Sequence, residues 1–76
     1  MTTHRPSTIG TFDAGQYREM LAREMAYVEA NGGRCTRERT ARIRRYASRI
    51  ARLTGITGEQ AMAQASEDAA DLAAMA

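Results

Sequence analysis

Apolar residues recur three and four positions apart in three separate stretches of the chain, and each stretch is bracketed by residues that start or stop helices. In the first stretch Ala14, Tyr17, Leu21, Met25 and Val28 share one face, widened on one side by Met20 and Tyr27. That spacing is the stripe a helix of about 3.6 residues per turn turns toward a core. Asp13 stands in front as an N-cap, Gln16 three residues on completes a capping box, and Phe12 is placed to staple onto Tyr17. Asn31-Gly32-Gly33 stops the helix, because glycine accepts the left-handed backbone that closes a C-terminus.

The second stretch begins at Thr36, whose hydroxyl can cap the amides that follow. It carries Ile43, Tyr46, Ala47, Ile50, Leu53 and Thr54 as its inward stripe and ends at Gly55. Thr57 caps the third, with Gln60 at the capping-box position and Ile56 just outside; its buried face is expected to be Ala61, Met62, Ala65, Ala69, Leu72 and Ala76. No stretch alternates with the period of a strand. The pattern predicts helices over about 13–31, 36–54 and 58–75 in one domain, residues 12–76, behind a mobile Thr-, Ser-, Pro- and Gly-rich tail, residues 1–11. The fold class is therefore all-α, a small three-helix bundle with short loops.

Composition makes that core thin. Phe12 is the only Phe, there is no Trp, and much of the apolar content is Ala. A core of this size rarely supplies more than about 3–5 kcal/mol. With Cys35 as the single cysteine no internal disulfide can add to it, so a homodimer or a complex with a partner is expected. One cysteine and no secretory pattern at the N-terminus point to a reducing, cytoplasmic setting. No apolar run reaches the roughly 18 residues that a membrane span needs.

Charge changes the picture more. All eleven basic residues are Arg, which suits planar, two-pronged contact with phosphate or carboxylate; a GC-rich genome, whose codons favour Arg and Ala, accounts for the same bias. The second helix holds Arg37, Arg39, Arg42, Arg44, Arg45, Arg49 and Arg52 against Glu38 alone. The third holds Glu59, Glu67, Asp68 and Asp71 with no base, and the first carries Asp13, Glu19, Glu24 and Glu29 against Arg18 and Arg23. At about 100° per residue, Arg42, Arg45, Arg49 and Arg52 form a continuous outer stripe flanked by Arg37 and Arg44. Like charges three and four apart on a helix cost about 0.2–0.5 kcal/mol each, so an anion is expected to offset them. Nucleic-acid phosphate is one candidate, the acidic third helix of the same or a second chain another, and an acidic protein surface a third; a solvated face needs none of them. Arg39 falls on the apolar side of the second helix and Glu24 inside the apolar arc of the first, so an inter-helix Glu24–Arg39 ion pair is expected.

The stretch Ile50–Thr57 resembles the turn of helix-turn-helix DNA-binding proteins: Ala51, Gly55, Ile56 and Thr57 match it, and Ala61 takes the later small position. In that family the helix after the turn enters the major groove; here that helix carries four acids and no base, and the helix before it is about twice the usual length. Leu53-Thr54-Gly55 leading into Glu59-Gln60-Ala61 is similar to the helical part of ribbon-helix-helix antitoxins, without a strand before it to make the ribbon. Gly55-Ile56-Thr57-Gly58 matches the clamp of KH domains in letters, and that clamp works beside a sheet.

Catalytic chemistry is scarce. His4 lies in the tail, where nothing orients it as a base or a metal ligand, and one Cys with one His makes no zinc site. Cys35 has no rigid base to activate it and reads as a small, partly buried loop-end residue. The expectation is a non-enzymatic, cofactor-free accessory or regulatory protein of the kind phages and plasmids encode. It would bind nucleic-acid backbone through Arg37, Arg42, Arg44, Arg45, Arg49 and Arg52. The alternative is an inhibitor or adaptor that docks this stripe, or the Met20/Tyr27 edge, on an acidic or apolar partner surface.

Overall fold

Each helix starts where its cap stands. In a computed structural model describing residues 12–75, α1 runs Ala14–Ala30, α2 Arg37–Thr54 and α3 Gly58–Met75. The expected tail, residues 1–11, and Ala76 lie outside the described residues. The Gln16 N–H donates to Asp13 Oδ1 at 2.8 Å while the Asp13 N–H donates to Gln16 Oε1 at 2.9 Å, closing the capping box. Phe12 meets Tyr17 edge-on with ring centroids 5.5 Å apart. Thr57 and Gln60 repeat the reciprocal pair at the head of α3, and Thr36 Oγ1 accepts from the Arg39 N–H at 3.1 Å. At the end of α1 the Gly33 N–H reaches the Val28 carbonyl at 2.8 Å and the Gly32 N–H the Glu29 carbonyl at 3.2 Å, the two bonds of a Schellman closure.

The core sits where all three stripes converge: Tyr17 and Leu21 from α1, Ile43, Ala47 and Ile50 from α2, Ala61 and Ala65 from α3. Leu21 alone among the large side chains is fully enclosed, which contributes about 1.5–3 kcal/mol. Met25, Val28, Tyr46, Ile56 and Met62 pack around it, half-buried. The alanine face lets α3 approach α1 closely, and α1 contacts both other helices more extensively than α2 and α3 contact each other.

Three stripe positions differ from the expectation. Leu53 is 54% exposed, because three residues beyond Ile50 the helix has turned about 300°, which carries Leu53 roughly 60° outward, toward Arg49. Thr54 is exposed at the last turn, its hydroxyl donating back to the Ile50 carbonyl at 2.7 Å. Leu72 is 38% exposed near the end of α3. Tyr27, expected to widen the inner face of α1, is half out of the protein, and the guanidinium carbon of Arg39 lies 3.9 Å above its ring. Cys35, expected to be partly buried, is exposed in the α1–α2 loop and accepts from Thr40 Oγ1 at 3.2 Å.

Candidate anion-binding face of α2

Ile43, Ala47 and Ile50 fix the rotation of α2 by burying themselves against α1 and α3. That rotation determines what the opposite side presents. Arg37, Arg44, Arg45, Arg49 and Arg52 are all exposed, and among the described residues none of them is bonded to a carboxylate. The helix has 18 residues, about 27 Å at 1.5 Å per residue, so the arginines are spread along an extended surface.

Arg42 corrects the sequence reading. It is engaged inside the fold: Nε donates to Glu24 Oε2 at 3.1 Å and Nη2 to Glu24 Oε1 at 3.3 Å. This hydrogen bond, and then the charge of the same carboxylate, raise the Arg42 pKa above its ordinary value. Glu24 also receives Arg39 Nη1 at 2.5 Å, the expected pair, with both partners mostly buried. One carboxylate of α1 thus holds two guanidinium groups of α2, and five of the six sequence-designated arginines remain outward without a mate among the described residues.

The acidic helix does not neutralise them. Its Asp68 turns to α1, where Arg18 Nε donates to Oδ2 at 2.6 Å and Arg18 Nη2 to Oδ1 at 3.2 Å. The hydrogen bond and the charge of Asp68 raise the Arg18 pKa. Glu59, Glu67 and Asp71 are exposed and bonded to no cation among the described residues. Sequence alone could not assign Asp68 to Arg18, because a face made of alanines leaves the register of α3 against α1 open.

Elsewhere, a cleft of about 430 Å³ opens between the helices, lined mainly by Met25, Val28, Ile43, Met62 and Ala69. No group of three His, Cys, Asp or Glu side chains that could hold a metal ion gathers among the described residues, and none of their helices is long and apolar enough to cross a membrane. The chain matches no family model, no curated protein and no solved structure.

Proposed function

We propose that this chain is a non-enzymatic, cytoplasmic accessory or regulatory protein that binds the phosphate backbone of nucleic acid through α2. What supports the reading is five exposed arginines on one helix with no carboxylate bonded to them among the described residues. The helix bears the repulsion of Arg45 with Arg49 and of Arg49 with Arg52, which a row of phosphates would convert to attraction while releasing counterions. Arg37, Arg44, Arg45, Arg49 and Arg52 make the contacts, and Arg42 adds what Glu24 leaves of its guanidinium. Backbone contact of this kind positions a protein but reads little sequence. The acids of α3 repel phosphate, so α2 rather than the helix after the Gly55 turn faces the ligand.

The test is fluorescence anisotropy of labelled duplex and single-stranded DNA and RNA at about 50 and about 200 mM salt, with wild type and an Arg45→Glu/Arg49→Glu variant. Binding at the lower salt that weakens steeply at the higher salt and in the variant is expected. No binding at the lower salt eliminates the reading; binding that ignores the variant relocates the site.

One observation favours a second reading, a protein-interaction module. Leu53 is 54% exposed one turn beyond Arg49, an apolar side chain at the edge of a basic face, as an acidic amphipathic partner would require. Capture of a partner from nuclease-treated host lysate that is lost on Leu53→Ser would support it; capture unaffected by that change, or none, would count against it.

A further inference from the structure

The two charged helices carry the same spacing in opposite sign. On α2, Arg45, Arg49 and Leu53 follow one another at intervals of four; on α3, Glu67, Asp71 and Met75 do the same. Each trio forms one ridge along its helix, rising about 6 Å per step. All six side chains are exposed, Leu53 at 54% and Met75 at 81%. Laid side by side and parallel, the ridges set Arg45 on Glu67, Arg49 on Asp71 and Leu53 on Met75. Antiparallel, they would set a charge on an apolar side chain at both ends. Ridges of this kind interlock when the helix axes cross at about −50°.

Within one chain the two ridges do not meet. Asp68, the neighbour of Glu67 on α3, is held by Arg18 of α1, and Asp71 borders a cleft shared with Gly15, Arg18 and Glu19. The acidic ridge therefore runs along the α1 flank of α3, and no carboxylate of α3 bonds an arginine of α2 among the described residues. We infer that the basic ridge of one copy docks on the acidic ridge of a second copy of this chain. The contact joins unlike surfaces, so it closes when two copies exchange both ridges and extends into longer chains when they do not. It would also add burial to a molecule whose core is small for its length. A second copy and a polyanion compete for Arg45 and Arg49, so nucleic acid would dissociate the assembly; the self-association itself does not rest on the nucleic-acid reading.

The experiment is sedimentation velocity of the full chain without nucleic acid, over a concentration series at about 50 and about 500 mM salt. Expected is a mass above the 8.4 kDa of one chain at low salt, falling to that value at high salt. Arg45→Glu/Arg49→Glu and Glu67→Arg/Asp71→Arg should each abolish association, and mixing the two in equal amounts should restore it, because each then presents what the other lacks. Leu53→Ser, which keeps every charge, should weaken association on the order of tenfold and covers the case in which a charge-reversed variant fails to fold by circular dichroism. A single-chain mass for wild type throughout the low-salt series would overturn the proposal. So would association that Leu53→Ser and the charge reversals leave intact, or folded variants that stay apart on mixing.

Discussion

Arg18 grips Asp68 with two nitrogens, Nε at 2.6 Å and Nη2 at 3.2 Å, and joins α1 to α3 across fifty positions of sequence. Because that carboxylate is spent on α1, it is withheld from the arginines of α2. The pair is partly open to water, with side-chain exposures of 46% and 29%, so its contribution sits in the range of surface pairs. A double-mutant cycle with Arg18→Ala and Asp68→Ala, read by urea unfolding, should give a coupling of up to about 1 kcal/mol. The pair holds the Arg18 pKa above its ordinary value. A raised folded pKa means that this arginine's share of the stability is complete below the unfolded value and is lost only as pH climbs through the folded one. Mild alkali should therefore leave the coupling unchanged, whereas salt should reduce it.

Glu24 presents the harder case. It is 18% exposed and takes Arg39 and Arg42 together, while Arg39 also lies over the Tyr27 ring. Glu24→Ala leaves two guanidinium groups facing each other without their shared acceptor. The expected loss is about 1.5–3 kcal/mol, a large share of what so small a core supplies, and thermal denaturation should show it as a fall of several degrees or more. Glu24→Ala combined with Arg39→Met, which removes one of the stranded charges and keeps an apolar stem on Tyr27, should recover part of the loss.

Sequence legibility followed the distance over which each feature is decided. The caps at Asp13, Thr36 and Thr57 and the closure at Gly32 and Gly33 are settled within a few residues, and they stand where the sequence puts them. Glu24–Arg39 was also readable, since two charges inside apolar arcs that share a loop have few other partners. Arg42 was not. It lies at the margin of the outer stripe, and only the rotation of α2 against α1 decides whether its guanidinium reaches Glu24 or water. Leu53 is misplaced for a related reason: a position about 60° from Ile50 on the wheel lies at the edge of the stripe, and only the rotation of α2 against its neighbours decides whether it faces the core or water. The other five arginines of the candidate face were legible because the buried trio Ile43, Ala47 and Ile50 fixes which side is out.

Two glycines separate backbone conformation from space. A Cβ added at Gly55 or at Gly58 would meet nothing within 4 Å, yet Gly55 has φ +84° and closes α2, whereas Gly58 opens α3 with ordinary helical handedness. Gly55→Ala should destabilise by about 1–2 kcal/mol, the cost of a side chain in the left-handed region. Gly58→Ala should instead stabilise by about 0.4–1 kcal/mol, mainly by restricting the unfolded chain. Urea midpoints moving in opposite directions would support this account; a loss at both positions would show that Gly58 is needed for its own conformation.

Arg42 and Arg49 offer the sharpest check on how α2 meets an anion. Both lie on the outer stripe read from sequence, but Glu24 holds Arg42 from two of its nitrogens whereas Arg49 is exposed and bonded to no carboxylate among the described residues. If phosphate is the ligand, Arg49→Ala should lower the slope of log affinity against log salt by about 1, the loss of one neutralised phosphate. Arg42→Ala should change that slope by clearly less while costing folding stability, because it removes a mate of Glu24 rather than a free cation. Anisotropy titrations at four or five salt concentrations, paired with urea melts of each variant, measure both quantities. Equal slopes for the two variants would mean that Arg42 lets go of Glu24 when the anion arrives, and the anion-binding face would then comprise six arginines instead of five.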